Sequence, residues 1–348
     1  MNQSRFLQAL ACSNHSHRPP IWMMRQAGRH LASYRELRSK HSFLEMCHNP
    51  DLISKVTLLP IENYDLDAAI LFSDILVIPE AMGMNLRFED QVGPLFESPI
   101  ENNAMIESLA SSENVNSLDY VAQGIKQVKS KLKIPLIGFC GAPFTVASYM
   151  IEGRSSRSLK KTKQWMFQNP EGFHSLLDKI TEWSIAYLKL QINAGVNAVQ
   201  IFDSWANYLA HHQFREFSLN YLKKILDGIK DTGIPTILFC KGSSVFAPQL
   251  SEINPSGIGI DWNCQLSQMR QIIPKNIALQ GNLDPDILYA PLNKLESEVN
   301  RLLDEMQDEP GFIFNLGHGL LPDISEKAVH TLVECVKRRE KCPATSLY

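Results

Sequence analysis

Two arginines spaced four apart, Arg25 and Arg29 in Trp22-Met23-Met24-Arg25-Gln26-Ala27-Gly28-Arg29-His30, are the first residues with clear chemistry to offer. A guanidinium presents a planar fork of donors that pairs bidentately with carboxylate or phosphate, so two of them suit an anionic ligand. The apolar run at 21–24 reads as a buried strand, and Gly28 as a turn in which no β-carbon fits. Both arginines would then leave one strand end together. The competing reading, two solvated arginines on a loop, explains neither the apolar run before them nor the glycine between them.

A second candidate is Asp74, inside Ala68-Ala69-Ile70-Leu71-Phe72-Ser73-Asp74-Ile75-Leu76-Val77. A carboxylate in so apolar a run is costly unless it is paired or used. Helix capping or a structural salt bridge is the alternative. Tyr149, in Tyr149-Met150-Ile151-Glu152-Gly153, offers a phenol to a ligand carboxylate, or simply packs half-buried. Ser204, in Asp203-Ser204-Trp205, has neither a Gly-x-Ser-x-Gly setting nor a histidine at nucleophile-elbow spacing, so it reads as a hydrogen-bonding hydroxyl. His318 lies between two glycines in Gly317-His318-Gly319 and reads as ligand-facing, or as a cap on the next helix. Metal-site spacings such as His-x-Cys and His-Glu-x-x-His do not occur. No metal or organic cofactor is expected.

These residues need elements to hold them. Short apolar runs near 21–24, 67–72, 135–140, 198–202, 235–240, 257–261, 277–280 and 312–315 read as strands, several of them continuously apolar as in parallel sheets. Helical spacing of apolar positions fills 118–131, 170–193, 214–232 and 292–307. Asn49-Pro50 marks a helix start, and Pro60 should kink or end that helix. The stretch 84–99 fits a small hairpin or a covering loop equally well. Eight strands alternating with helices predict a single (β/α)₈ TIM-type barrel over residues 1–348, with its active-site cleft at the C-terminal strand ends. The candidate residues all follow such ends, as do Lys241-Gly242, Asp261-Trp262 and Gly281-Asn282-Leu283-Asp284-Pro285. The last of these turns and the one at His318 would also suit phosphate, which keeps a phosphosugar enzyme as a rival. A doubly wound open sheet is less suited, because no Gly-x-Gly-x-x-Gly follows an early strand.

Composition narrows the class further. The 348 residues carry a net charge of −3 with no basic block, which argues against a nucleic-acid partner. Seven cysteines scattered without Cys-x-x-Cys suit free thiols in a reducing compartment. The apolar patch at 6–12 is too short for a signal peptide, and no run reaches membrane-spanning length. A cytoplasmic enzyme with no membrane partner is expected.

The ordered blocks also resemble one family along essentially the whole chain. Arg25-Gln26-Ala27-Gly28-Arg29, Phe72-Ser73-Asp74-Ile75-Leu76, Gly141-Ala142-Pro143 leading to Tyr149, Phe202-Asp203-Ser204-Trp205, Gly281-Asn282-Leu283-Asp284-Pro285 and Asn315-Leu316-Gly317-His318-Gly319 are similar to the uroporphyrinogen decarboxylases. The resemblance implies cofactor-independent conversion of uroporphyrinogen III to coproporphyrinogen III and CO₂ in haem biosynthesis, by a homodimer. It places substrate contacts at Arg25, Gln26, Ala27, Gly28, Arg29, Asp74, Tyr149, Ser204 and His318, with Asp74, Arg25 and Tyr149 closest to the chemistry. The family pattern is departed from at His30, Phe144 and Asn207, where tyrosine, tryptophan and a glycine-rich turn are commoner. Those departures bear on the pocket rim. Two rivals share the architecture: a zinc-dependent corrinoid methyltransferase, which needs thiolate and imidazole ligands, and a non-catalytic tetrapyrrole-binding protein.

Overall fold

Every residue of Leu136–Gly141 and of Thr236–Cys240 is buried, as a parallel strand covered on both faces requires. A computed structural model describes residues 4–89 and 93–339. Its strands are β1 (Ala69–Ile70), β2 (Leu86–Glu89), β3 (Gly93–Phe96), β4 (Leu136–Gly141), β5 (Ala198–Asp203), β6 (Thr236–Cys240), β7 (Gly257–Gly259), β8 (Ala278–Leu283) and β9 (Phe312–Leu316). Seven of them pair in parallel in the order β1-β4-β5-β6-β7-β8-β9. Helices such as Asp119–Lys131, Pro170–Ala194, Asn220–Ile229 and Leu292–Glu305 return the chain between neighbours, the connection that parallel pairing demands.

The expected first strand at 21–24 is the one that departs from expectation. It is a single bridge, Ile21 to Phe314, between the two edges of the sheet. Phe314 N–H donates to Pro20 O at 2.9 Å, Trp22 N–H to Phe314 O at 3.4 Å, and Asp67 N–H to Ile21 O at 2.8 Å. These bonds join β9 to the start of β1 and close the curled sheet into a TIM-type (β/α)₈ barrel. The ladder then stops because side-chain amides capture the next two main-chain donors. Met23 N–H goes to Gln26 Oε1 at 3.2 Å and Met24 N–H to Asn315 Oδ1 at 3.1 Å.

At the N-terminal end of the barrel, Arg18 grips Asp67 bidentately, at 2.7 and 3.0 Å, and Ile21 N–H reaches the same carboxylate at 2.8 Å. Within the barrel, Trp22 Nε1–H donates to Gln280 Oε1 at 2.9 Å and Gln280 Nε2–H to Gln200 Oε1 at 3.1 Å, satisfying polar groups that packing alone would strand.

Asn49 caps the helix Pro50–Asn63 by accepting from Asp51 and Leu52 N–H, and that helix ends three residues after Pro60. The expected helix at 214–232 contains a π-helical turn at Arg215–Leu219, which matters below. The undecided stretch 84–99 holds an antiparallel hairpin, with Leu86 opposite Phe96. It docks through Phe96 N–H to Gly153 O at 2.7 Å and through Phe88 packing on Phe43 at 4.4 Å between ring centres. Among the described residues no helix is long and apolar enough to cross a membrane.

Candidate active site

The Arg25–Gly28 turn sits where the closing segment leaves the barrel. Arg25 itself adopts the left-handed conformation, φ 61°, costly for a non-glycine residue and held here by its surroundings. Gln26 N–H bonds back to Met23 O at 3.1 Å, and Leu31 N–H to Gly28 O at 3.1 Å. A β-carbon on Gly28 would stand 3.0 Å from Arg25 O, so the turn has little room for a side chain there. Arg35 clamps the far side, donating to the carbonyls of Arg29 and His30 at 2.7 Å each.

The turn divides its residues. Arg25 projects along Gly319 toward the C-terminal strand ends. Arg25 stays exposed by surface area, yet the protein packed around its stem removes enough solvent to lower its pKa, while Tyr149 and the Asp74 charge oppose that shift. Arg29 is exposed at the edge. Gln26 is fully buried, its amide accepting from Met23 N–H and pointing at Ala68 O, so its side chain is committed to the fold. Ala27 and Gly28 are partly open.

Asp74 follows β1. Its Oδ1 accepts Leu76 N–H at 2.8 Å, closing a turn two residues long ahead of the short helix Val77–Ala81. The N-cap of that helix is Leu76, and no side chain caps it, so the capping role weighed from sequence does not occur. One oxygen remains for a ligand. Burial raises the Asp74 pKa to about 6, with the Leu76 N–H opposing it, Glu80 adding to it and Arg25 opposing it. Arg25 and Asp74 thus feel each other's charge, yet the described residues contain no direct ion pair between them.

Tyr149 lies near the end of the helix Pro143–Glu152 that follows β4, with its ring edge-on to Trp205 at 5.7 Å. Burial pushes its phenol up, so the hydroxyl keeps its proton. Ser204, half-buried, immediately follows β5. His318 follows β9, where its Nδ1 accepts Gly319 N–H at 2.8 Å. That bond assigns the ring proton to Nε2. Burial first, then Arg25 and Lys241, lower its pKa to about 4, so it is a neutral donor at neutral pH. An aromatic file, Phe139–Phe202–Phe239, crosses the neighbouring strands β4, β5 and β6 at centre distances of 5.7 and 6.0 Å, and Phe239 meets the His318 ring from beyond β9 at 5.9 Å, an apolar wall for the site. Trp262, 38% exposed, stands edge-on to His318 on the other side.

Arg25, Asp74, Tyr149 and His318 therefore share one electrostatic neighbourhood, with Ser204 beside it and Arg29 at its margin. Of the three departures from the family pattern, two lie away from the rim. His30 is buried behind the turn, stacked on Tyr64, and Phe144 is buried against Phe173; Asn207 alone is exposed. Asp203 was not singled out from the sequence, although a carboxylate ending the apolar strand Ala198–Asp203 carries the same signal that singled out Asp74. Among the described residues no three His, Cys, Asp or Glu side chains gather as a metal site would require. A hollow of about 570 Å³ opens at the other end of the barrel, between 14–19 and 306–310, away from the strand ends where barrel chemistry is done.

A barrel that gathers arginines, an ionisable carboxyl, a protonated phenol and a neutral imidazole beyond its C-terminal strand ends has the layout of a β/α-barrel enzyme. A family model described as uroporphyrinogen decarboxylase (URO-D) matches residues 1–339, and the chain belongs to that family. It is 65% identical over 335 residues to the uroporphyrinogen decarboxylase of Protochlamydia amoebophila (strain UWE25), covering 96% of this chain and 92% of that one. It is 44% identical over 331 residues to the uroporphyrinogen decarboxylase of Ruthia magnifica subsp. Calyptogena magnifica, covering 93% and 95%. Among solved structures, a methyltransferase from Methanosarcina mazei superposes with a TM-score of 0.82 at 20% identity, covering 97% of this chain and 99% of that one. At that identity the likeness concerns the fold alone.

Proposed function

We propose that this chain removes the four acetate carboxyls of uroporphyrinogen III as CO₂, leaving methyl groups and giving coproporphyrinogen III, with no metal or organic cofactor. The observation that carries the mechanism is Asp74, a recessed carboxyl within reach of the Arg25 charge and with one oxygen uncommitted. Losing CO₂ from an acetate leaves an electron pair that needs a sink. A pyrrole becomes its own sink once a proton adds to a ring carbon and makes the ring cationic. The C–CO₂ bond then breaks, its electron pair neutralises the ring, and an exocyclic methylene remains. A second proton turns the methylene into methyl, and loss of the first restores the pyrrole, so each round consumes one proton.

Asp74, anionic at neutral pH with a pKa near 6, would stabilise the ring cation from a fixed position. Arg25 and Arg29 would hold peripheral carboxylates. Tyr149, Ser204 and His318 Nε2–H would add neutral hydrogen bonds, and the main chain of 26–28 would complete the wall, which fixes which acetate reaches Asp74. Arg25 keeps its proton too tightly to act as the acid, and serves as a clamp.

Incubating the pure protein anaerobically with uroporphyrinogen III should give products with progressively fewer carboxyls. Tight binding without CO₂ release would favour the non-catalytic tetrapyrrole carrier. Activity lost to a chelator and restored by zinc would favour the methyltransferase branch. We also read the chain as a cytoplasmic homodimer on family grounds; sedimentation at twice the chain mass checks the assembly, and fractionation of cells the compartment.

A further inference from the structure

Asp203 is 1% exposed at the C-terminal end of β5, and both its carboxylate oxygens are taken by hydroxyls. Thr145 Oγ1–H donates to Oδ1 at 2.5 Å and Ser218 Oγ–H to Oδ2 at 2.6 Å. No cation pairs with it among the described residues. A buried carboxylate so placed is a poor way to gain stability, because an apolar residue of similar volume would avoid the desolvation cost. Its two partners lie on two separate elements. Thr145 is in the first turn of the helix that carries Tyr149, one turn further on. Ser218 is inside the π-helical turn Arg215–Leu219, an irregularity that recurs at functional sites. Thr145 Oγ1 also accepts Trp205 N–H at 3.0 Å, and the Trp205 ring packs edge-on against Tyr149.

We infer that Asp203 is a positioning residue: through Thr145 it locks the Ser204-Trp205 turn to the helix bearing Tyr149, and so sets where the Tyr149 hydroxyl meets the substrate. The inference rests on the decarboxylase reading above. Burial pushes the Asp203 carboxyl up to about 6, opposed by the Ser218 and Thr145 hydroxyls, so the two donors favour the charged form that the lock uses.

The test compares Asp203→Asn, Thr145→Val, Thr145→Ser, Tyr149→Phe and the pair Thr145→Val/Tyr149→Phe by single-turnover decarboxylation and by KM. A misplaced orienting group costs up to about a hundredfold in rate. Asp203→Asn and Thr145→Val should therefore lose tenfold to about a hundredfold in kcat with little change in KM. Thr145→Ser keeps the hydroxyl and should stay near wild type. The pair should be no slower than Tyr149→Phe alone, because both changes remove one contact. A folded Thr145→Val enzyme with full kcat, or losses that multiply in the pair, would overturn the inference. If Asp203→Asn does not fold, Thr145→Val, which removes only one of the two bonds, still decides. If the wild type releases no CO₂, the decarboxylase reading fails separately. The lock is then judged by the crystal structure of Thr145→Val: an unmoved Trp205–Tyr149 pair overturns it, and a displaced pair supports it.

Discussion

Gly319 lies flat against the side chain of Arg25: a β-carbon there would stand 2.4 Å from Arg25 Cδ and 2.6 Å from Cγ. The absence of a side chain on one loop thus sets the course of a cation on another. Gly319→Ala should push the guanidinium aside while leaving the barrel intact. The expected outcome is a loss of about tenfold or more in kcat/KM, with stability within about 1 kcal/mol of wild type. Kinetics and thermal melts on the same preparation check it. An unchanged kcat/KM would mean that Arg25 is not held by this contact.

Arg29 provides a test of the clamp without disturbing the core, because it is exposed at the edge of the cleft. Arg29→Lys keeps the charge and loses the planar fork. KM should rise severalfold with the melting temperature unchanged. Equal kinetics would show that a solvated point charge suffices.

Asp67 belongs to stability rather than chemistry. Burial pushes its carboxyl up, but the Arg18 hydrogen bond and charge, Lys337 and Ile21 N–H more than offset this and leave the pKa lowered. A carboxyl depressed in the folded state contributes stability above its unfolded pKa, about 4, and loses it as pH falls through the folded value. Asp67→Asn weakens the two-pronged, charge-assisted contact with Arg18 and should cost about 1.5–3 kcal/mol. It should also flatten the most acidic part of the stability–pH curve. Urea titrations across pH check both.

The strands were legible wherever burial on both faces writes a continuous apolar run, as at Leu136–Gly141 and Thr236–Cys240. The first stave was legible only in part. Its apolar run marks burial, but the amides of Gln26 and Asn315 end the ladder, and no periodicity encodes a side chain 291 positions away. The hairpin was ambiguous because β2 and β3 are half-exposed and lack strict alternation. Arg25 could be suspected from its type, but not its left-handed backbone, since nothing in an arginine signals φ 61°. Asp203 stayed hidden behind its neighbour: Ser204 looked chemical, while the costly carboxylate beside it carried the stronger physical signal.

The sharpest prediction concerns Asp74. Its pKa is raised by burial to about 6, so below that pH the site loses the anion that a cationic pyrrole needs. The rate should fall as pH drops through about 6, and Asp74→Asn should remove most of that limb, leaving only the smaller loss that protonation of Asp203 causes. Asp203→Asn should be slower at every pH yet keep the larger part of the limb, which belongs to Asp74. Because the charge to be stabilised develops along the reaction, the Asp74→Asn loss should fall on kcat, by roughly a hundredfold to a thousandfold. The stability sign is opposite to that of Asp67. A carboxyl raised on folding contributes stability only below its unfolded pKa, and that contribution is gone once pH rises past the folded value. Asparagine retains the oxygen that accepts Leu76 N–H, so Asp74→Asn should be at least as stable as wild type at neutral pH. Asp74→Glu keeps the charge but places it about one methylene too far into a packed recess, so partial activity should remain. Melting temperature measured beside single-turnover rate separates a catalytic anion from a carboxyl that merely closes the turn onto Leu76. A stable Asp74→Asn protein with full activity and an intact acid limb would remove Asp74 from the mechanism.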